Sequence, residues 1–244
     1  RGLIRYLMRH RHTTPFEMVE FKFHCKMPIF VARQWVRHRT ANINEYSLRY
    51  SEARDEFYFP NPEHIQFQSA LNKQGRMGDV PKDLKQKVHD YFKEISNRSF
   101  EIYSELNDAG VARELARAIL PVNLYTEWYW KNDLHNLLHF IGLRSDNHAQ
   151  YEIRVFSDAM AKSVKSVAPF AWEAYQDYVV KGMRFSRIEQ SLLERNLPNR
   201  VIDDITEDLA YQLTATLHAN KPRDEKGLYL LYKKEGGCDS KDDF

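Results

Sequence analysis

Residues Glu17 to Lys26, EMVEFKFHCK, alternate apolar and polar side chains: Val19, Phe21, Phe23 and Cys25 fall on one face, Glu20, Lys22 and His24 on the other. An extended chain points successive side chains to opposite faces, so this run predicts a half-buried strand. No other segment constrains the fold as much. Pro28 follows at once and suits the first turn of a helix, and IFVARQWVRHRT continues with helix-compatible residues until the polar stretch around Asn42 and Asn44. The strand is therefore expected to pass directly into a helix.

Beyond it, Ile43 to Tyr50 reads as extended or irregular, and Phe59-Pro60-Asn61-Pro62 as a loop. Asp79 and Pro81 mark a helix start, and Leu84, Val88, Tyr91, Phe92, Ile95, Tyr103 and Leu106 keep an apolar stripe on one side as far as Gly110. A second helix is expected over Val111 to Leu120, stopped by Pro121. A third runs through DLHNLLHFIGLR, with Leu134, Leu137, Leu138 and Ile141 as its buried stripe. From Asn147 onward the pattern is predominantly helical, and past Lys233 the segment KEGGCDSKDDF has no period and is expected to be a mobile tail. With no repeat and no linker in view, the expectation is an α+β fold: one helix-rich domain over residues 1–233 with a small sheet, and a polar tail over 234–244.

Composition narrows the class. The 244 residues are 43% hydrophobic and 13% aromatic with only 9 Gly and 9 Pro, which describes a packed chain rather than a disordered one. The 36 basic and 34 acidic residues leave a net charge of +2, so no overall field attracts nucleic acid, and any anion recognition must be local. Cys25 and Cys238 are too few for a disulfide framework or a cysteine-based zinc site, and no apolar run approaches the roughly 20 residues of a membrane span. A cytoplasmic location is the expectation. The first residue is Arg rather than Met, which leaves room for a longer natural chain.

The densest polar chemistry lies in Arg33-Gln34-Trp35-Val36-Arg37-His38-Arg39 and in Asn44 to Tyr50. On a helix Gln34 and Arg37 share a face, whereas Glu45, Ser47 and Arg49 would line one side of an extended segment at roughly 6 to 7 Å intervals. Such a polar wall suits a nucleotide monophosphate: guanidinium forks match phosphate oxygens, a hydroxyl adds a donor, and an amide can pair with the imide edge of a pyrimidine. A solvated charged turn is the ordinary alternative. It loses ground because the cluster follows a clean strand and helix and interleaves its charges with Trp35, Tyr46 and Tyr50.

The run RHR, seven residues, then Ser, from Arg37 to Ser47, resembles the signature of the flavin-dependent thymidylate synthases. The likeness extends through Arg49 and Tyr50, back through FHCKMPIFVARQW and TPFE, and forward to ARAILPVNLYTEWYWKNDLHNLLHFIGLRSDNHAQYEIR, Ala116 to Arg154. Asn42 stands where many members have Ser. The resemblance implies a small, mainly antiparallel sheet, FAD bound between the subunits of a homotetramer, and methylation of dUMP to dTMP. It implies methylenetetrahydrofolate as carbon donor and NADPH as electron donor. For dUMP it implies Gln34, Arg37, Glu45, Ser47, Leu48 (through its backbone), Arg49, Arg117 and Arg144. Arg144 is also implied as the catalytic group that stabilises the uracil ring when N3 loses its proton. For FAD it implies His12, Thr14, Arg37, His38, Arg39, Glu45, Asp133, His135 and His139.

Absences bear on the chemistry as well. Cys25 belongs to the strand's apolar face and Cys238 to the tail, so neither reads as a nucleophile. Ser47 has no evident base beside it and is read as a binding group. The nine glycines form neither GxGxxG nor GxxxxGK[ST], so FAD would bind without a dinucleotide fingerprint. His135 and His139 are four apart, a zinc-pair spacing, but HExxH is missing, and no metal is expected. Two other readings stay open: a flavoprotein that oxidises NADPH in response to a nucleotide without methyl transfer, and a nucleic-acid binder using Arg5, Arg9, Arg11 and the RHR cluster on phosphates.

Overall fold

The computed structural model describes residues 1–70, 73 and 75–189. The tail expected over 234–244, Cys238 and the far end of the helical stretch expected after Asn147 lie outside the described residues. In chain order the elements are α1 (Gly2–Arg9), α2 (Thr14–Glu17), β1 (Glu20–Pro28), α3 (Ile29–Trp35), β2 (Asn42–Glu45), β3 (Phe67–Gln68), β4 (Arg76–Met77), α4 (Lys82–Asp108), α5 (Arg113–Ala116), β5 (Tyr125–Asp133), α6 (Leu134–Arg144), α7 (Tyr151–Val167) and α8 (Pro169–Tyr175). By backbone packing the described residues divide into two compact units, 14–163 and 1–13 with 164–189.

The unit of residues 14–163 is built on a three-stranded sheet of order β1-β5-β2, antiparallel throughout, with a separate small ribbon of β3 and β4. Alternation makes β1 as expected, with Cys25 and Met27 buried, but the strand begins at Glu20 because Thr14–Glu17 form a short helix first. Its partner β5, YTEWYWKND, was not anticipated, although it carries the same period-2 signal: Thr126, Trp128, Trp130 and Asn132 are buried and alternate with more exposed neighbours. The two strands pair over nine positions, from Glu20 opposite Asp133 to Pro28 opposite Tyr125, which sets Cys25 against Trp128 and Met27 against Thr126.

This face of the sheet is closed by α3 and α6. Trp35 is fully buried, 5.6 and 5.4 Å from the rings of Trp128 and Trp130 and stacked 4.9 Å from Phe140. Fully burying a large apolar side chain is worth about 1.5–3 kcal/mol, so this cluster fixes where α3 ends and where α6 lies. Leu134, Leu137, Leu138, Phe140 and Ile141 bury the expected stripe of α6, and the Asp133 side chain caps it by accepting from the Asn136 backbone N–H at 2.8 Å. Because α3 leaves the sheet at the Pro28 end and α6 at the opposite, Asp133 end, the helices run toward each other and meet at their C-termini.

Three further expectations change. The helix after Pro28 stops at Trp35 instead of continuing to Thr40, because the chain must turn to add Asn42–Glu45 to the edge of β5. Residues 47–51 are a turn, not an extended wall: the Ser47 carbonyl accepts from Tyr50 and Ser51, and its hydroxyl accepts from the Arg49 N–H at 3.3 Å. A serine hydroxyl that bonds nearby backbone in this way competes with strand formation. The helix expected over Val111–Leu120 is only α5 followed by a 3₁₀ turn at Arg117–Ile119, since Pro121 holds Leu120 in extended backbone.

The helix to Gly110 is α4. Gly110 has φ 79° and donates to Asn107 O at 2.9 Å while Val111 donates to Leu106 O at 2.9 Å, a left-handed glycine termination. Its apolar stripe divides: Tyr103 is buried, whereas Leu84, Tyr91 and Ile95 are 39, 53 and 58% exposed. In the other unit α1 lies on α8; Arg5 pairs with Asp177 at 2.6 Å, Arg9 donates to the Tyr178 hydroxyl at 2.6 Å, and Arg1 pairs with Glu173. Two of the cations considered for nucleic-acid phosphates are thus engaged within the protein.

Candidate functional site

The site grows from the meeting of the two helix ends. Burial of Trp35 turns its neighbour Gln34 outward on the last turn of α3, and the chain leaves through Val36 and Arg37, whose N–H groups donate to Ala32 O at 3.0 Å and Gln34 O at 3.4 Å. Burial of Phe140 and Ile141 likewise brings Arg144, the last residue of α6, to the same place. Arg144 Nε–H donates to His38 Nε2 at 3.0 Å and its Nη2 donates to the Gln34 carbonyl at 3.3 Å. The Gln34 side-chain amide donates in turn to Gln150 Oε1.

Around these groups is a cavity of about 400 Å³ lined by Arg33, Gln34, Arg37, Arg144, His148, Ala149 and Gln150. Its third wall is the turn after α6, where the Asp146 carboxylate accepts from the His148 N–H at 2.8 Å and Ala149 N–H donates to Asp146 O at 2.9 Å. Burial, then the Arg144 guanidinium, then His139, push His38 down from 6.5 to about 4. His38 is therefore neutral near pH 7, and its Nε2 lone pair is what Arg144 binds. Burial also lowers the Arg144 pKa. The lining holds three guanidinium groups and no carboxylate, an arrangement that favours an anion.

Gln34, Arg37 and Arg144 thus line one cavity, and Arg33 of the same polar cluster joins them together with His148, Ala149 and Gln150. The last three lie in GLRSDNHAQ, a few residues after Arg144 in the same motif. Glu45, Ser47, Leu48, Arg49 and Arg117 do not line this cavity. Glu45 is exposed on β2 and accepts from the Thr126 hydroxyl at 2.6 Å. The Ser47–Arg49 turn is fastened to α5: Arg49 pairs with Glu114 at 3.0 Å, and Arg113 binds Tyr50 O at 3.2 Å and Glu52 at 2.9 Å. Arg117 follows in the 3₁₀ turn just after α5. On one copy of the chain, then, only Gln34, Arg37 and Arg144 of the proposed nucleotide ligands line this cavity.

The residues implied for the flavin are spread along the same elements. Arg39 is exposed in the turn after α3 and makes no ion pair among the described residues, and half-buried His135 and exposed His139 follow one another on α6, with the His139 ring 6.1 Å from His38. Both Asp133 oxygens accept from Asn136, through its N–H and its side-chain amide, each at 2.8 Å. Thr14 opens α2, which packs on α6. His12 lies in the other unit, its ring 5.9 Å from Tyr6. Among the described residues no three His, Cys, Asp or Glu side chains gather as a metal site. Cys25 is buried and its thiol is pushed up to about 12 by desolvation, so it carries no reactive thiolate near pH 7.

The model of the thymidylate synthase complementing protein family matches residues 1–170, across both the strand-helix segment and the α6 motif. The chain belongs to the flavin-dependent thymidylate synthase family. The flavin-dependent thymidylate synthase of Rickettsia conorii is 49% identical over 222 residues, covering 86% of this chain and 76% of the relative. That of Ruegeria pomeroyi is 50% identical over 213 residues, covering 86% and 70%. Among solved structures, a UMP/dUMP methylase, PolB from Streptomyces cacaoi, bound with 5-Br UMP, superposes with a TM-score of 0.68 at 35% identity, covering 72% of this chain and 80% of that one. The small antiparallel sheet packed under helices is thus the fold of a flavin-dependent thymidylate synthase, as the sequence resemblance implied.

Proposed function

We propose that this chain methylates dUMP at carbon 5 to give dTMP, with methylenetetrahydrofolate as carbon donor and NADPH as the source of electrons. The observation that carries this reading is the convergence of Arg33, Arg37 and Arg144 on one carboxylate-free cavity, in a member of the flavin-dependent thymidylate synthases. The bound 5-Br UMP and 5-Br dUMP of the Streptomyces methylase structures support a uridine nucleotide as the anion.

Arg144 does the electrostatic part of the chemistry. As the uracil ring gives up its N3 proton, negative charge grows on the ring and makes C5 nucleophilic toward the electrophile, and a fixed guanidinium stabilises that anion more than it stabilises the neutral ring. The fixing comes from neutral His38, which accepts from Nε, and from the Gln34 carbonyl. Gln34 and Arg37 hold the nucleotide from the α3 side. Glu45, Ser47, the Leu48 backbone, Arg49 and Arg117 complete the proposed dUMP set. Because these residues do not line the cavity of one copy, we assign them to the site of a neighbouring copy in a homotetramer.

FAD, when bound, supplies the hydride that completes the methyl group. The chemistry of the donor set fits it: Arg37, Arg39, His38, His135 and His139 offer cations and ring N–H groups suited to a pyrophosphate and an electron-rich ring. Glu45, Asp133, Thr14 and His12 complete the proposed flavin set. Residues 1–233 are read as one catalytic domain, since the family match runs from one compact unit into the other. No described helix is long and apolar enough to cross a membrane, and a cytoplasmic enzyme is the corresponding proposal.

The test is direct. Purified protein should be yellow, should consume NADPH faster when dUMP is added, and should form dTMP when methylenetetrahydrofolate is present, read by chromatography of the nucleotides. Protein that takes up no FAD would refute the reading, and NADPH consumption without dTMP would reduce the chain to a nucleotide-responsive oxidoreductase.

A further inference from the structure

Gln150 belongs to neither proposed ligand set, yet its side chain holds the Gln34 amide across the cavity: Gln34 Nε2 donates to Gln150 Oε1, joining the last turn of α3 to the segment that opens α7. A free glutamine amide can flip end over end, exchanging its oxygen for its NH₂ group. Here a flip of Gln34 alone would set its carbonyl oxygen against that of Gln150, two acceptors face to face. The bond therefore couples the two amides: while the Gln150 oxygen faces Gln34, the second Gln34 N–H and the Gln34 oxygen are left for a ligand. Gln34 is also held through its main chain, where its carbonyl accepts from Arg144 at 3.3 Å.

Gln150 is itself well anchored. Its carbonyl takes the first N–H bonds of α7, from Ile153 at 3.2 Å and Arg154 at 3.1 Å. Two residues on, Glu152 is only 5% exposed, and its carboxylate accepts from the Tyr58 hydroxyl at 2.8 Å and from Arg76 at 2.7 Å. Burial alone would raise the Glu152 pKa, but these two bonds outweigh it and hold the carboxyl below its ordinary value, so the anion stays paired. Arg76 also binds the His64 carbonyl at 2.8 Å, which ties α7 to the chain before β3. The oxygen offered to Gln34 thus comes from a helix start pinned by a buried ion pair.

We propose that Gln150 is a positioning residue for nucleotide binding, acting through Gln34, whose amide it locks in the orientation that the nucleotide meets. This deepens the proposed function and rests on dUMP being the ligand. A lost hydrogen bond of this kind corresponds to about three- to ten-fold in affinity. The experiment measures dUMP binding to the FAD-loaded protein by calorimetry for wild type, Gln150→Met, Gln34→Met and the double variant, with melting temperature and flavin content alongside. Gln150→Met should weaken dUMP by about that factor, raise KM more than it lowers kcat, and leave flavin content unchanged. The double variant should bind no more weakly than Gln34→Met alone, because the two residues act as one unit. Gln150→Ala should repeat the pattern if Gln150→Met fails to fold. Independent, multiplicative losses, or no loss at Gln150, would overturn the proposal while leaving the dUMP reading intact. Wild-type protein that binds no dUMP would overturn both.

Discussion

At single residues, Arg144 bears most directly on the chemistry. If it stabilises charge only as the reaction proceeds, Arg144→Ala should lower kcat for dTMP formation by about 10²–10³, the usual size of losing one charge-stabilising donor, while flavin absorbance stays near that of the wild type. Equal loss of flavin would instead make it a cofactor-binding residue. His38 gives a prediction in pH. Its folded pKa lies at about 4, below the ordinary 6.5, so above pH 6.5 both folded and unfolded chains carry it neutral and the native bond to Arg144 is intact. As pH falls from 6.5 toward 4 the unfolded chain takes up the proton and the native one resists, so stability declines through that window. His38→Gln, which keeps an accepting atom that does not titrate, should flatten that part of the melting-temperature profile. Sequence alone showed Arg144 and His38 as motif members, but not that they bind each other across 106 positions; such a pairing depends on where two helices end.

Among elements, what could be read ahead was local and what could not was tertiary. The alternation of β1, the stripe and cap of α6 and the glycine stop of α4 each follow from a few neighbouring residues. RHRT has no helix breaker in it, so local preference extends the helix after Pro28 too far; pairing of Asn42–Glu45 with β5 overrides that preference. In β5 the buried Thr126, Trp128, Trp130 and Asn132 alternate as cleanly as the buried face of β1, so its period is local, but its pairing with both β1 and β2 is not. That Ser47 and Arg49 do not line the cavity is hidden for a similar reason: they look extended until the serine hydroxyl closes its own turn. The cap of α6 can be tested by itself. Asp133→Ala should cost about 1 kcal/mol of stability, read by denaturant titration, whereas Asp133→Asn, which still accepts from the Asn136 N–H, should lose much less.

For the whole molecule, the proposal that each site is shared between copies predicts complementation. Arg144→Ala and Arg49→Ala should each be nearly inactive alone. Mixed by co-expression they should recover about a quarter of wild-type activity, because at random assembly about one site in four takes its cavity from the Arg49→Ala chain and its 47–49 turn from the Arg144→Ala chain, and so is intact. Recovery of none would place both arginines in the same copy's site. The exposed Leu84, Tyr91 and Ile95 face of α4 is available for such an assembly.

The meeting of α3 and α6 end to end has a last implication. Helix C-termini present carbonyl oxygens and a partial negative pole, and two such poles brought together repel unless something positive stands between them. Arg144 stands there, bonded to the Gln34 carbonyl, with Arg33 and Arg37 beside it. These side chains therefore act as counterions at the junction as well as the groups that greet an incoming anion, so one set of charges serves both the helix ends and the ligand.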